Sequence, residues 1–380
     1  MEPQQAAIRQ VPAWPADFSR QVPHPHNFLR NVLIPFACTR GFLLLAACFA
    51  LWRLPAAAEK GWTGPTSSVA INMWSHFDGL WYLSIARDGY QFAPGAQSNA
   101  AFAPLFPMLM RIGGQLAGGS DAAMLAAGII ISNLALLAAV GYLAALMQLE
   151  GHGQAAARAG WYLLMFPTSF FLSAVYPMSL FLALAVGAFY YARRAQWPLA
   201  AAFAALAALA RPDGFLLSAG VALEYFLQYR FSPRRDILWL ASGPAALLGW
   251  MAFQWRRFGD PLAFVAAQRQ WDPSPIQTVI HSSRAGLQLG CAGLFILLVF
   301  LCLRFLRPSY TLFAASMLAV MLAAARFWSI TRFVVVLFPA FMVLAILGQR
   351  WRFVHLLYTA VATPLSTLLV MRFALNLWVA

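Results

Sequence analysis

The sequence AAMLAAGIIISNLALLAAVGYLAALMQL, residues 122–149, carries no charged side chain. An α-helix needs about 20 consecutive apolar residues, with a range of about 17–25, to cross a bilayer. Similar stretches recur along the chain, at 33–54, 159–175, 177–192, 197–210, 214–229, 236–255, 281–303, 309–325, 332–348 and 353–376. They predict an all-α polytopic membrane protein with about eleven transmembrane helices. We expect one membrane domain, residues 33–380, after a cytoplasmic N-terminal segment, residues 1–32.

The composition of the whole chain agrees with this class. Hydrophobic residues make up 62% of the 380 residues, and the mean hydropathy is +0.68, which is above the range of soluble domains. The formal net charge is +14, and 25 of the 26 basic residues are arginine. Because the arginines are scattered between apolar stretches, we expect them to set topology and contact membrane lipids. We expect no nucleic-acid partner.

Arginines in the short loops predict the orientation. With the N-terminus in the cytoplasm, most of them fall inside, as the positive-inside rule requires: Arg158, Arg193, Arg194, Arg230, Arg234, Arg235, Arg304, Arg307, Arg350 and Arg352. The longest connection, about 55–121, then lies outside, and we expect it to carry short interfacial helices. Within it, Pro104 and Pro107 make the apolar stretch 101–116 a re-entrant or interfacial segment. Loops this long are usually functional.

A polar cluster interrupts this loop in the stretch WSHFDGLWYLSIARDGYQ, residues 74–91. Ser75 and Asp78 fit a capping box, with Ser75 as N-cap, and predict a helix over 76–88 that ends at Gly89. The aromatic side chains are also typical of the belt at a membrane–water interface. The stretch can therefore be purely structural, as a helix start at headgroup depth.

The same stretch also fits a catalytic site. A carboxylate beside aromatic rings and partly out of water is a suitable general base, and aromatic faces suit a sugar ring. Asp78 is therefore the candidate catalytic base, and His76, Trp81 and Tyr82 are candidate substrate-binding residues. Asp88 is the rival base. Its context, RDG, is typical of a helix end and turn, so we expect a structural or supporting role.

Two arginines are candidates for binding a phosphate. Arg211 lies in LARPDGFLL, between two apolar halves, and Arg332 begins an apolar stretch in SITRFVVVLFPAF. A planar guanidinium matches phosphate oxygens in a bidentate way. Each residue also has a structural alternative. Arg211 can pair with Asp213 in a turn that closes a helical hairpin, and Arg332 can extend to lipid headgroups.

A second external loop, WRRFGDPLAFVAAQRQWDP (255–273), is a candidate acceptor groove. Asp260 and Pro261 predict a helix start, with Asp260 as the N-cap and Pro261 at the first helical position. Gln268 and Trp271 then become candidate substrate-binding residues that line the groove.

Neither a metal nor a cofactor is expected from the motifs. The four cysteines lie inside apolar stretches without a CxxC pair, which is typical of buried free thiols: Cys38, Cys48, Cys291 and Cys302. The sequence contains no Walker loop, no GxGxxG and no HxxxH.

Taken in order, these motifs resemble the PIG-V family of GPI-anchor mannosyltransferases. That family belongs to the GT-C class, which uses polyprenyl-phosphate sugars. The matching stretches extend over about residues 70–345: WSHFDGLWYLSIARDGY, AFAPLFPMLMR, FPTSFFLSAVYPMSLFLAL, LAALARPDGFLL, FGDPLAFVAAQRQW and SITRFVVVLFPAF. The aromatic-Asp-Gly stretch followed by PLFP and then RPDG is fairly specific as a series.

The resemblance implies a GT-C-type fold and transfer of a hexose, with mannose as the family's sugar, from a lipid-linked donor. The acceptor would be a lipid or a glycan at the outer membrane face. Asp78 lies where the family has its first-loop acid, which GT-C enzymes use as catalytic base. Arg211 and Arg332 fall on the family's basic positions near the donor. One departure is that Pro177 and Met178 replace the Ser-Glu that often follows the tyrosine of SAVYPMS.

The preference for arginine over lysine is typical of a GC-rich bacterial gene, and bacteria make no GPI anchors. We therefore expect a bacterial inner-membrane protein with a periplasmic site and an acceptor other than a GPI precursor. One alternative is a transporter or flippase for lipid-linked sugars, which needs polar residues near the bilayer midplane. The spans contain few of these, chiefly Arg40 and Glu224. The other alternative is a non-catalytic subunit that assembles with a membrane partner.

Cysteine labelling tests the predicted orientation. In a variant without the native cysteines, Gln97→Cys should react with a membrane-impermeant maleimide in intact cells, because segment 55–121 lies outside. Gln154→Cys, in a short loop on the predicted cytoplasmic side, is the matched control and should react only after lysis. The opposite labelling pattern would show that the chain is inserted the other way round.

Overall fold

The computed structural model describes residues 28–54, 64–232, 234–270, 285–323 and 329–379, and their regular secondary structure is helical throughout. The α-helices, numbered in chain order, are α1 (Ile34–Arg53), α2 (Val69–Asn72), α3 (Asp78–Asp88), α4 (Leu105–Leu116), α5 (Asp121–Leu149), α6 (Ala156–Met165), α7 (Met178–Arg193), α8 (Trp197–Ala210), α9 (Leu216–Gln228), α10 (Ser242–Phe258), α11 (Ala263–Gln268), α12 (Ala285–Phe305), α13 (Pro308–Ala323), α14 (Ile330–Phe333), α15 (Phe338–Arg350) and α16 (Arg352–Ala374). The predicted all-α class is confirmed for this part of the chain.

Length and apolar composition qualify several helical segments as membrane spans. Among the described residues, five pass alone: Leu29–Arg53, Asp121–Leu149, Arg235–Phe258, Gly286–Phe305 and Arg352–Ala374. The count becomes six when Ile330–Val336 and Phe338–Arg350, which are bent by 79° at a short break, are taken as one broken span. The chain is therefore a multi-pass integral membrane protein.

The predicted count of about eleven spans is not confirmed, because several predicted spans are short helices. Helices α7, α8 and α13 are apolar but have 10–17 residues. The predicted span 159–175 consists of α6 followed by the 3-10 helix Ser169–Leu172. The stretch 101–116 contains α4, with Pro107 in its first turn, where the missing N–H removes no helical hydrogen bond.

Helix α7 lies at the centre of the bundle because it is apolar on nearly every face. It packs against α5 on one side and α8 on another, and residues such as Phe181 and Phe189 are fully buried. A helix that is hydrophobic all round is expected in such a position. The outer helices α1 and α12 instead leave Leu45 and Phe300 exposed, as lipid-facing surfaces do.

The long connection between α1 and α5 contains α3 and α4, and it packs back onto α5. Helix α4 packs along α5 and also contacts α3. Helices α4 and α5 approach closely at Gly114, where an added Cβ would lie 2.4 Å from Met124 Cγ. A separate buried cluster joins the three helices: Tyr82, Leu83, Ala86, Phe106, Met110, Met124, Leu125 and Val175. The packing of α3 is therefore fixed by apolar contacts.

Glu224, one of the charged residues within an apolar stretch, belongs to a buried ion-pair network. Arg193 Nη1 donates to its Oε1 at 3.0 Å, and Arg307 Nε donates to its Oε2 at 3.2 Å. Arg193 also pairs with Glu150, and Ser309 Oγ donates to Glu224 at 2.6 Å. Two carboxylates therefore balance two guanidiniums, and the network ties α5, α7, α9 and α13 together.

Arg40, a charged residue inside α1, donates to backbone carbonyls and forms no ion pair with an acid in the described part of the chain. Its Nη1 donates to Ser169 O at 3.0 Å and to Ser173 Oγ at 3.2 Å, and its Nη2 donates to Leu164 O. These acceptors lie at the end of α6 and in the turn that follows. Arg40 thus satisfies carbonyls that the short helix leaves without a helical partner.

The RPDG motif forms a tight turn between α8 and α9. Residues Pro212–Phe215 form a 3-10 helix, and Gly214 N donates to Arg211 O at 2.9 Å. A Cβ on Gly214 would lie 2.1 Å from Ala207 O. The turn therefore sits directly on the last turn of α8, which only glycine permits at this position.

Gly214→Ala should destabilise the protein by about 1–3 kcal/mol, because the added methyl group cannot fit against the α8 backbone. Thermal unfolding in detergent measures the effect. Gly249→Ala in α10 is the matched control, since a Cβ there meets no atom within 4 Å. It should leave the melting temperature unchanged or raise it. Equal melting temperatures for the two variants would contradict the close contact.

Candidate functional site

Helix α3 begins at a strained residue and not at the predicted capping box. Ser75 Oγ donates to Ile71 O at 2.8 Å and so caps nothing in α3. The N-cap residue is Phe77, without a side-chain cap, and the helix starts at Asp78 instead of residue 76. The capping-box prediction is therefore wrong, and Asp78 occupies the first helical position. The Asp78 carboxylate therefore takes no part in capping the start of α3.

Phe77 adopts φ 54° and ψ −116°, a conformation that costs a non-glycine residue about 1–3 kcal/mol. Its ring is held by aromatic neighbours, with centroid distances of 4.9 Å to Trp378 and 6.0 Å to Phe373. The tertiary packing thus enforces a strained backbone directly before Asp78. Strain of this kind is typical of functional sites, because it fixes the direction of the side chain that follows.

The carboxylate of Asp78 forms an ion pair with Arg332. Arg332 Nη1 donates to Asp78 Oδ2 at 2.8 Å, and the two residues are 254 positions apart. The side chain of Asp78 is 18% exposed and that of Arg332 is 7% exposed. The pair joins α3 to the first half of the broken span. The structure therefore brings together the two residues that the sequence predicted as catalytic base and phosphate ligand.

Aromatic rings surround the guanidinium of Arg332. Its Cζ lies 4.7 Å from the ring centroid of Phe333 and 5.6 Å from those of Phe171 and Tyr176. Such contacts stabilise a cation that has left water. The backbone is also held, because Thr168 Oγ1 donates to the carbonyl of the preceding residue, Thr331, at 2.6 Å. Arg332 is therefore fixed in a dry, aromatic environment.

The second predicted phosphate ligand, Arg211, makes the turn pair that was its structural alternative. Its Nε donates to Asp213 Oδ1 at 3.0 Å and its Nη2 to Oδ2 at 2.8 Å, and both side chains are buried. Its Cζ also lies 5.3 Å from the ring centroids of Phe181 and Phe333. The two candidate arginines thus contact the same ring, that of Phe333. A phosphate role for Arg211 stays a prediction.

Trp81 and Tyr82 follow Asp78 by three and four residues on α3, so they lie near it on the helix surface. Tyr82 is buried, with centroid distances of 5.0 Å to Phe102 and 6.4 Å to Tyr176. Burial and the carboxylate of Asp78 raise the pKa of Tyr82 well above its ordinary value, so its hydroxyl stays protonated. Trp81 is half-buried and stacks on Phe102. Their substrate-binding roles stay predictions.

His76 lies in the aromatic core beside the site. Its ring meets that of Phe373 edge-on at 5.2 Å, and its carbonyl accepts a hydrogen bond from the Tyr176 hydroxyl at 3.1 Å. Burial lowers the pKa of His76 to about 4, although the backbone of Ala374 opposes the shift. The imidazole is therefore neutral at pH 7. Its substrate-binding role stays a prediction, and the observed contacts are with protein groups.

Asp88 lies at the opposite end of α3, about 15 Å along the axis from Asp78 at 1.5 Å per residue. It pairs at the surface with Arg87 at 3.0 Å, and Arg87 also pairs with Asp121 at 2.9 Å. Gly89, with φ 84°, ends the helix as predicted. These contacts support the structural reading of Asp88 over a role as a rival base.

The predicted acceptor groove is only partly described. Gln268, at the end of α11, is half-buried, and Trp271 lies outside the described residues. Asp260 Oδ1 accepts from Leu262 N at 2.8 Å, but the helix begins at Ala263 and not at Pro261. The predicted helix start is therefore displaced by two residues. The substrate-binding roles of Gln268 and Trp271 stay predictions.

The two loops that were predicted to be external meet beside the site. Helix α11 packs against the 3-10 helix Asn99–Ala101 of the first loop. Gln254 connects them, since its Nε2 donates to Ala100 O at 3.1 Å and its Oε1 accepts from Phe264 N at 2.7 Å. An acceptor bound between these loops would therefore contact both.

Met178, which stands where the related family often has glutamate, begins α7 and is buried in the main core. It adds no charge to the site. Within the described ranges, no three histidine, cysteine, aspartate or glutamate side chains come together as metal ligands. A site without a metal or cofactor stays a prediction.

Several residues of the site were not predicted from the sequence. Phe77 gave no signal, since a positive φ at phenylalanine cannot be read from residue type. Thr168 lies within the predicted apolar span 159–175, and Tyr176 lies between that span and the next, 177–192. Phe333 could have been found, because an aromatic residue directly after a membrane arginine is a candidate cation–π partner.

The fold and the site together define a multi-pass membrane protein with a buried acid–arginine pair beside the segment between α1 and α5. Residues 57–237 match the family model for mannosyltransferase (PIG-V). This match confirms the predicted resemblance to that family over residues 57–237. The range contains Asp78 and Arg211 but not Arg332.

Two solved structures align with most of this chain. One is the Archaeoglobus fulgidus oligosaccharyltransferase complex with Zn and sulfate, at 14% identity and TM-score 0.46, covering 87% of this chain and 53% of that one. The other is ArnT from Cupriavidus metallidurans bound to undecaprenyl phosphate, at 16% identity and TM-score 0.48, covering 82% and 60%. The chain thus spans between half and two thirds of their length. A comparison with curated proteins finds no match.

Proposed function

We propose that this protein is a GT-C-type glycosyltransferase that transfers a hexose, with mannose as the family's sugar, from a polyprenyl-phosphate carrier. The acceptor is a lipid or a glycan at the outer face of a bacterial inner membrane. The observation that carries the proposal is the Asp78–Arg332 pair, which puts a carboxylate and a buried guanidinium at one place. The family match over residues 57–237 supports sugar transfer as the reaction.

Asp78 is suited to act as the base because one of its oxygens stays available. Oδ2 accepts from Arg332, whereas among the described residues no side chain donates to Oδ1, and the carboxylate remains 18% exposed. A base must reach the proton it removes directly or through one water. The half-buried ring of Trp81 on the same helix offers a face for the acceptor sugar.

Arg332 is suited to hold the carrier phosphate. A phosphate held by a fixed guanidinium in a dry site is stabilised more strongly than in water. Arg211 adds positive potential nearby, since its Cζ lies 5.3 Å from the ring centroid of Phe333, although Asp213 balances its charge. A lipid monophosphate leaving group needs less help from a metal than a nucleotide diphosphate does, which agrees with a metal-independent reaction.

The chemical step follows from these positions. Asp78 removes the proton from an acceptor hydroxyl, and that oxygen attacks C1 of the donor sugar. The bond between C1 and the phosphate oxygen breaks, and the electron pair leaves with the polyprenyl phosphate. Arg332 binds the charge that develops on the leaving phosphate. Attack opposite the leaving group inverts the configuration at C1.

The broken span favours one other function, a flippase for lipid-linked sugars. Discontinuous helices line the substrate sites of many transporters, and the 79° bend between α14 and α15 lies a few residues after Arg332. Sugar transfer and sugar translocation are separated by assaying both with the same purified protein in vesicles. Translocation of the lipid-linked sugar without any transfer would favour the flippase.

Asp78→Asn should lower transfer of radiolabelled mannose from polyprenyl-phosphate mannose by about 10²–10⁴-fold, because asparagine cannot accept the proton. Asparagine keeps an oxygen for Arg332 Nη1, so the variant should fold, with stability lower by about 1–3 kcal/mol. Asp121→Asn removes an exposed carboxylate and is the control, with transfer unchanged. Near-normal transfer by folded Asp78→Asn would reduce Asp78 to a structural partner of Arg332.

Arg332→Lys should raise the KM for polyprenyl-phosphate mannose about tenfold, because lysine keeps the charge but loses the planar fork. Steady-state transfer at varied donor concentration measures it. Arg194→Lys, on the predicted cytoplasmic side, is the control with unchanged KM. An unchanged donor KM in Arg332→Ala would show that the guanidinium does not touch the donor.

A further inference from the structure

We propose that the carrier phosphate and Asp78 compete for the same edge of Arg332, so that donor binding releases the Asp78 carboxylate. This inference rests on the proposed function and adds an order of events to it. The donor binds first, takes over the guanidinium and thereby frees the base. After that exchange both carboxylate oxygens of Asp78 are available to the acceptor hydroxyl.

Asp78 lies on the more exposed side of the Arg332 site. The rings of Phe333, Phe171 and Tyr176 lie 4.7–5.6 Å from Cζ of Arg332, whose side chain is 7% exposed. Its Nε is buried and has no hydrogen-bond partner among the described residues. Asp78, which holds Nη1, is the more exposed member of the pair. A phosphate that arrives from the solvent therefore meets the edge that Asp78 occupies.

In the contact between Asp78 and Arg332, the carboxylate can be replaced by another anion. The contact consists of one hydrogen bond, from Nη1 to Oδ2. The neighbouring Arg211–Asp213 pair is bidentate, and both its side chains are nearly fully buried. Bidentate pairs hold their partners more firmly. Of the two arginines that contact Phe333, Arg332 is therefore the one whose acid a second anion can replace.

Electrostatics opposes simultaneous binding of both anions. A carboxylate and a phosphate on one guanidinium edge repel each other, and the repulsion is strong in a poorly solvated site. The phosphate also gains charge when the sugar–oxygen bond breaks, so its hold on Arg332 tightens during the reaction. The exchange therefore releases the Asp78 carboxylate when the donor binds. Deprotonation of an acceptor hydroxyl is then disfavoured while no donor is present.

A double-mutant cycle on lipid binding tests the inference. The probe is undecaprenyl phosphate, titrated against the purified full chain in detergent. Asp78→Asn should lower its Kd about tenfold, because the competing carboxylate is gone. Arg332→Gln should weaken binding, and adding Asp78→Asn to Arg332→Gln should then give no gain. Asp121→Asn, which removes one exposed carboxylate, should leave the Kd unchanged.

Two results would overturn the exchange. One is an equal Kd for the wild type and Asp78→Asn. The other is a gain that persists in the Arg332→Gln background, which would reflect general charge and not the shared guanidinium. Asp78→Ser replaces Asp78→Asn if the latter does not fold. If Asp78 and Arg332 are coupled in lipid binding but no mannose is transferred, the proposed function is refuted and the exchange stands. If mannose is transferred without that coupling, the exchange is refuted and the proposed function stands.

Discussion

The ion pair between Asp78 and Arg332 is the contact on which the rest of the site depends. A guanidinium that is 7% exposed among aromatic rings is costly without a counter-charge. Supplying that charge requires the segment between α1 and α5 to fold back onto the bundle. It also requires α3 to start at one defined position. The strained conformation of Phe77 and the apolar packing of α3 on α4 and α5 both serve this requirement.

The buried charges of this protein fall into two groups with different properties. The Glu224 network has two carboxylates and two guanidiniums with many mutual hydrogen bonds, and it ties four helices together. The Asp78–Arg332 pair has one hydrogen bond and one partly exposed member. The first arrangement is suited to hold helices in place. The second is suited to meet a ligand, which is why the proposed chemistry is placed there.

Much of the architecture and the members of the site could be predicted from the sequence. Uncharged stretches such as 122–149 indicate helices in lipid, and Asp78, Arg211 and Arg332 stand out in an apolar chain. Their mutual contacts could not be predicted, because pairing across 254 positions depends on tertiary packing. The capping box failed because Ser75 bonds backward to Ile71. The predicted number of transmembrane helices is not confirmed, because apolar composition does not determine helix length.

The proposed mechanism requires Arg332 to bind the carrier phosphate and to give up Asp78 when it does. An experimental structure of the protein with undecaprenyl phosphate would show whether this exchange occurs. We expect the phosphate within hydrogen-bond distance of the Arg332 guanidinium, with the Asp78 carboxylate turned away from Nη1. A phosphate bound elsewhere, with the Asp78–Arg332 pair intact, would contradict it.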